Sequence, residues 1–546
     1  MSRSFLFASL VLLTASTLPA QITNLDDLTP LDIGYRLRVQ DDGRGLEVDM
    51  SIDRLSRSHL NVAMPNWSPG AYRFHDAGKQ VRNFEARHAE SGESLPVMQL
   101  DHATWSIATN GCRCVEIHYE LPAQDRATRR FTPRIPRDAT PPGIHFQGPL
   151  VYMYVQGAKN RPVTCRYELP DGWEVANGMI ETDDPMVRWA KDYDTFIDCP
   201  TIIGRFRTTE FKVDGTPVAC VWWDMTEAYE FDMLAATEVV RTIVEEQASV
   251  FGSLPFFKYW FLYTISPTGG GGGLEHLNST SIGLSARGLR ASPESLAGIT
   301  AHEFFHTWNV KRIRPIALGP FEYEQQNYTG NLWVSEGWTS YYGDLSMLRS
   351  GLLSRENYLR NMARTIQSEL SKPRRKEHSV YWASRNVWHR LPDEASLGAR
   401  VDYYGKGELL AWLIDLEIRR VTNGTKSLDD VMRFMNRWFA ERGVGFEEND
   451  VERACTAISN HDFGPFFARH VRGTIDPPLA EILAGAGLAY RRVEHPSGLP
   501  FRVRSGDSDE LLVSFLQRNA RDLGLKRGDR IVAIDGQDDF DLDRIL

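Results

Sequence analysis

The sequence predicts a multidomain α+β protein that is β-rich first, helix-rich in the middle and β-rich again at its end. Three observations predict this. The 546 residues exceed what one hydrophobic core normally serves. From Leu31 to about Phe206, apolar and polar residues alternate in short runs, the period of a half-buried strand. After about Phe211 the apolar spacing lengthens to that of helices, and beyond Asp476 it shortens again. With 42% hydrophobic and 25% charged residues the balance is that of a globular chain. Lys plus Arg total 62 and Asp plus Glu 72, a net charge of −10, which argues against nucleic acid as a partner.

Residues 1–20 read as a signal peptide. Met1-Ser2-Arg3 gives a short positive start, Phe5 to Leu13 is an apolar run too short to span a bilayer comfortably, and small residues lead to Ala20. The expectation is an exported protein, periplasmic or extracellular. It should have no stable membrane insertion after cleavage, because no later run approaches the ~18 apolar residues of a spanning helix. The six cysteines are too sparse for a disulfide scaffold. Cys112 and Cys114 sit two apart in a strand-like run and are expected on one face.

Residues 21–207 are expected to form an N-terminal β domain, sandwich-like, with strands such as Arg36–Val39, Val115–Tyr119 and Val151–Val155 between turn clusters. Inside it, Met64 to Tyr72 is an aromatic- and proline-rich loop that reads as a structural corner. Residues 208–476 should form a helix-rich domain. Asp232 to Val250 reads as a helix, with Leu234, Val239, Val240, Ile243 and Val244 apolar, and Phe261 to Ile265 as a strand. Five glycines, Gly269 to Gly273, precede Leu274-Glu275-His276. Ser292-Pro293-Glu294 starts a helix with a cap and a first-turn proline. Further helices are expected from near Leu332 to Gly351, from Gly407 to Val421 and from Leu428 to Glu441. Residues 477–546 return to strands, with Leu511 to Phe515 the clearest.

The chemistry concentrates in the middle region. His302-Glu303-Phe304-Phe305-His306 is an HExxH motif, and on a helix its two histidines lie on one face, one turn apart. Imidazoles so placed bind one Zn²⁺ at about 2.0–2.1 Å, and Glu303 then sits where it can take a proton from a zinc-activated water. A site of this kind wants a third ligand. Glu336 is a lone carboxylate in the apolar, aromatic segment Leu332 to Thr339, and a buried carboxylate needs a cation partner.

The string from His302 through Trp308-Asn309-Val310-Lys311-Arg312-Ile313-Arg314-Pro315 to Trp333-Val334-Ser335-Glu336-Gly337-Trp338-Thr339-Ser340-Tyr341-Tyr342 resembles the glycyl-aminopeptidase family of zinc metallopeptidases. Met64 to Tyr72 resembles that family's N-terminal signature, and Gly528 to Gly536 a strand of its PDZ domain. The resemblance implies an N-terminal β domain, a thermolysin-like catalytic domain and a PDZ-like module at 477–546, here incomplete. It implies one Zn²⁺ per chain held by His302, His306 and Glu336, with Glu303 as base. The substrates would be peptides with a free N-terminus, with small residues such as glycine or alanine preferred.

Two further elements carry the same resemblance. Gly272-Gly273-Leu274-Glu275-His276 is similar to the G-x-M-E-N strand of related zinc aminopeptidases, departing at His276. A glycine-bearing edge strand lets a peptide backbone lie alongside, and Glu275 then offers a carboxylate to the substrate's α-ammonium. Tyr404-Gly405-Lys406-Gly407 is similar to a Y-x-K-G element, which implies Tyr404 as the oxyanion-stabilising hydroxyl. Lys311, Arg312 and Arg314 read as a basic helix end rather than a substrate-carboxylate site. Two other readings remain open at this level: an endopeptidase on the same zinc site, and a non-catalytic peptide-binding adaptor.

Overall fold

The alternation read in the first third of the chain becomes three sheets around one apolar core. The structure is a computed structural model and describes residues 31–40, 45–122, 143–225, 230–267, 272–389, 401–492, 501–505, 511–516 and 524–533. The signal peptide expected at 1–20 lies outside these residues. Residues up to Pro478 form one compact unit and those from Leu479 a second.

In the first unit a seven-stranded sheet runs in the order Ile180–Glu181, Val187–Ala190, Val163–Glu168, Asp32–Val39, Gly45–Asp53, Val115–Pro122, Arg82–His88. Only the pairing of Asp32–Val39 with Val163–Glu168 is parallel. Its inner face presents Leu37, Val48, Met50, Ile117 and Tyr119, all fully buried, while Arg36 and Arg38 pair with Glu47, Asp49 and Glu168 on the outer face. That is the period-2 division expected of a sheet covered on one side. A four-stranded and a three-stranded sheet complete the β region, and their apolar residues join the same core.

The structure corrects two local expectations. Of 151–155 only Tyr154–Val155 is strand. Val151, Tyr152 and Met153 follow the turn Gly148–Leu150 and are all buried, so no alternating face exists, and the Tyr152 ring packs on Tyr35, Phe146 and Phe196. Cys112 and Cys114 precede the strand Val115–Pro122 rather than sharing its face, because Asn110 and Gly111 adopt left-handed backbone (φ 51° and 81°) and turn the chain there. All six cysteines are free thiols.

A five-stranded sheet follows, ordered Arg207–Val213, Thr216–Asp224, Tyr259–Ser266, Ser279–Ser285, Gly273–Glu275. The glycine-preceded strand is therefore an edge. The helix Met233–Phe251 is capped by Asp232, whose carboxylate accepts the Ala235 N–H, and buries Val239, Val240, Ile243 and Val244; Leu234 in its first turn points to solvent instead. Helices Thr339–Ser350, Arg355–Ser371, Gly405–Val421 and Leu428–Met435 pack around it and one another. Among the described residues no helix is long and apolar enough to cross a membrane.

The second unit begins with a helix, Leu479–Gly485, where strands were expected; Leu479, Ile482 and Leu483 are its buried face. Strands Phe501–Ser505, Leu511–Leu516 and Arg530–Ile531 then form an antiparallel sheet. The stretch from Asp541 lies outside the described residues.

Candidate active site

The HExxH segment forms a helix for reasons visible in its sequence. Ser292 Oγ accepts the Glu294 N–H, Pro293 fits the first position, and a 3₁₀ turn, Pro293–Leu296, runs into the helix Ala297–Phe305. Thr300, Ala301 and Phe304 are buried, and the Gln247 amide donates to the Ala301 carbonyl at 2.7 Å. His302 and His306 are left facing a cleft of about 590 Å³. The His306 Nδ1–H donates to the Asn309 carbonyl at 2.7 Å, which turns Nε2 towards the cleft. The two Nε2 atoms are 3.1 Å apart.

Glu336 arrives from a π-helical turn, Trp333–Trp338, ahead of the helix Thr339–Ser350. Such widened turns recur at functional positions because they re-aim one side chain. Glu336 Oε2 lies 3.5 Å from His302 Nε2 and 3.3 Å from His306 Nε2. Gly337 and Gly407 allow this turn and the helix Gly405–Val421 to meet backbone to backbone; a Cβ on either would strike the other chain. Asn309 braces the same turn by donating to the Val334 carbonyl at 2.8 Å.

Burial works against ionising Glu336, yet the two imidazoles prevail and hold it at about 2. Burial likewise opposes a proton on His306, but Glu336 and Glu275 prevail and raise it to about 9. Glu336 and the two histidines form a group that could hold a cation. Their ligand atoms lie within 4.8 Å of one another, and the two-imidazole, one-carboxylate set suits zinc.

Glu303 is buried at the cleft wall against the edge strand. A Cβ on Gly273 would fall inside 3.0 Å of the Glu303 carboxyl group, so only glycine lets the strand pass this close. Gly272 turns the chain with φ 94°. Two residues past Gly273, alternation returns Glu275 to the cleft, with Glu275, Glu303 and His306 offering ligand atoms within 4.8 Å of one another. His276 points the other way, its Nδ1 3.0 Å from Asp198 Oδ1.

Tyr404 stands at the start of the helix Gly405–Val421, its ring nearly parallel to that of His302 at 6.2 Å. Desolvation first, then the Glu336 carboxylate, pushes its phenol well above the ordinary range, so the hydroxyl stays a donor. Asp402 Oδ1 accepts the Gly405 N–H at 2.7 Å and fixes this corner.

All eight residues singled out in the sequence, Gly272, Gly273, Glu275, His302, Glu303, His306, Glu336 and Tyr404, thus line one cleft. Sequence reasoning missed the rest of the lining of this cleft. Gly70, Ala71 and Arg73 from the aromatic loop, and His145 and Gln147 from the β region, line it too. The loop held the signal: Gly70 has φ 85°, and a Cβ there would meet Glu275 Oε1 at 2.9 Å. Trp67 and Tyr72 anchor the loop against Trp388. Gln147 is 6% exposed, and its Oε1 has no hydrogen-bond partner among the described residues. Lys311, Arg312 and Arg314 do not reach the cleft; Arg314, for example, donates to the Gly319 carbonyl. A separate hollow of about 670 Å³ on the outer face of the seven-stranded sheet holds none of the candidate residues.

Two family models match parts of the chain. Residues 295–410 match that of the M61 glycyl aminopeptidases. Residues 35–205 match that of the peptidase M61 N-terminal domain. No curated protein sequence matches the chain. Among solved structures, an aminopeptidase N family protein of Idiomarina loihiensis is similar over 94% of this chain and 91% of its own, with 26% identity and a TM-score of 0.81. An M1 zinc metallopeptidase of Deinococcus radiodurans, a mutant bound to a Tyr-Ser-Ala substrate, shares the fold over 82% of this chain and 96% of its own, at 13% identity and a TM-score of 0.52. The M61 match and the first of these neighbours support a peptidase; the second shares the fold.

Proposed function

We propose that this protein is an exported, zinc-dependent aminopeptidase that hydrolyses N-terminal residues, small ones such as glycine or alanine, from peptides. The reading is carried by one observation: a carboxylate, Glu275, on an edge strand beside a three-donor cation site and a buried glutamate. In this reading residues 1–20 direct export, 21–207 form the β domain, 208–476 the catalytic domain and 477–546 a PDZ-like module.

Zinc bound by His302, His306 and Glu336 would supply Lewis acidity to the scissile carbonyl and lower the pKa of a water molecule. Glu303 accepts that water's proton and delivers it to the departing amine. The Tyr404 hydroxyl donates to the carbonyl oxygen as negative charge develops there, an interaction worth a few kcal/mol when preorganised. The edge strand Gly273–Glu275 pairs with the peptide backbone, so the substrate enters as an added strand. Glu275 receives the α-ammonium, and the unpaired Gln147 Oε1 offers a second acceptor. In this reading the loop at Gly70, so near Glu275 that a Cβ there would clash, leaves little room beyond the α-nitrogen.

The test compares glycine and alanine anilides with their N-acetylated forms, together with metal analysis of the purified protein. One zinc per chain and hydrolysis of free-amine substrates alone are expected. Equal cleavage of both forms would make it an endopeptidase, and intact protein without metal or turnover would leave a binding role.

A further inference from the structure

Glu275 can select a free N-terminus only if its distance from the metal donors is fixed. The strand that carries it is poorly suited to fixing anything. It is three residues long, lies at the sheet edge and, among the described residues, pairs only with Ser279–Ser285. What holds the chain is the segment just after it. Asp198, at the end of the short helix Tyr193–Ile197, reaches into 276–278 with both oxygens. Its Oδ1 pairs with His276 Nδ1 at 3.0 Å, and its Oδ2 accepts the Leu277 N–H at 2.8 Å. The same Oδ1 accepts from Lys311 Nζ at 2.7 Å. Arg312 adds a second tie: Nη1 donates to the Leu277 carbonyl at 2.8 Å and Nη2 to Asn278 Oδ1 at 2.9 Å. Its remaining bonds go to the carbonyls of Thr307 and Pro255.

Lys311 and Arg312 lie five and six residues after His306, in the turns that follow the helix Ala297–Phe305. The side chains of Asp198, His276 and Lys311 are 11%, 4% and 8% exposed, so the cluster is nearly dry and its geometry is stiff. A buried ion pair is weak evidence of stabilisation, since desolvation offsets most of its attraction. Its effect here is positional: it joins the β region, the substrate strand and the turns that follow the HExxH helix at one point.

We propose that Asp198, Lys311 and Arg312 form a positioning unit that sets the distance from Glu275 to the metal donors and thereby enforces recognition of the free α-ammonium. This rests on the aminopeptidase reading. The experiment uses full-length, zinc-loaded protein carrying Glu303→Gln, with glycinamide and N-acetylglycinamide as calorimetric probes. Adding Asp198→Asn or Lys311→Met should retain zinc and weaken glycinamide binding about 10- to 100-fold, the scale of an ångström's misplacement. N-acetylglycinamide affinity should not change. Lys311→Arg, which keeps the cation, should restore most of the loss, whereas a merely structural role would lower thermal stability without changing the ratio between the two probes. In enzyme with Glu303 intact, the same variants should raise KM for glycine anilide more than they lower kcat. If Asp198→Asn does not fold, the Lys311→Met and Lys311→Arg pair decides. Unchanged glycinamide affinity in folded, zinc-loaded variants overturns the positioning unit alone. No glycinamide binding to the Glu303→Gln parent overturns the aminopeptidase reading, and the positioning unit with it.

Discussion

Replacing Gly273 by alanine tests the closest contact in the site. The added methyl would sit inside 3.0 Å of the Glu303 Cγ, Cδ and Oε1, a spacing real Cβ atoms do not show. Two responses are available. Glu303 can swing away, since its carboxyl group borders the cleft, or the edge strand can peel off Ser279–Ser285. The first is easier, because it costs a rotamer change rather than strand hydrogen bonds. The general base then moves by about an ångström, which corresponds to roughly a 10²-fold loss in kcat. The three metal donors are untouched, so zinc content should stay at one per chain, with a stability loss of about 1–3 kcal/mol from overpacking. The assay is steady-state hydrolysis of alanine anilide, beside metal analysis and urea denaturation. A rise in KM with kcat preserved would show that the strand yielded instead. Unchanged kcat and KM would refute the argument that glycine is required for the approach of strand to base.

Other perturbations separate the remaining roles. Glu303→Gln should keep zinc and lower kcat by about 10²–10⁴, read by metal analysis and turnover. Tyr404→Phe should keep zinc and fold and lower kcat by about 10²–10³ with a smaller change in KM, measured on the same anilide. Burial, followed by the Asp344 carboxylate, raises Glu408 from 4.5 to about 7. The folded state therefore holds a proton that the unfolded state releases, and stability declines as pH rises from about 4.5 through 7, by up to ~3 kcal/mol. Glu408→Gln should match the parent near pH 4.5 and exceed it above pH 7 in urea melts. Truncation after Pro478, the end of the first compact unit, should leave hydrolysis of short substrates intact, as checked by kcat/KM.

The site was legible in the sequence where chemistry imposes spacing. HExxH declares itself because two imidazoles one helical turn apart have few other uses, and Glu336 because a lone carboxylate among tryptophans needs a cation. The edge position of Gly273–Glu275 followed from glycines that no interior strand tolerates well. What could not be read is what depends on tertiary placement. Gln147 sits two residues from His145 in an ordinary alternating run, and nothing local says that both line a cleft. Lys311 and Arg312 looked like a helix end; only the fold brings Asp198 from the β region to meet them. The π-turn at Trp333–Trp338 has the composition of a helix, and its widening follows from the Gly337–Gly407 approach and from Asn309, not from local propensity.

The cleft is lined by Gly272, Gly273, Glu275, His302, Glu303, His306, Glu336 and Tyr404, and by a second wall from the β region, Gly70, Ala71, Arg73, His145 and Gln147. The second wall carries none of the three candidate metal donors. Under selection for a new diet of peptides, that wall can drift while hydrolysis itself is preserved. Mutant libraries confined to Ala71, Arg73 and His145 would therefore explore substrate choice with little risk to turnover. The same mutational load placed on 272–276 would strike the base and the substrate strand at once.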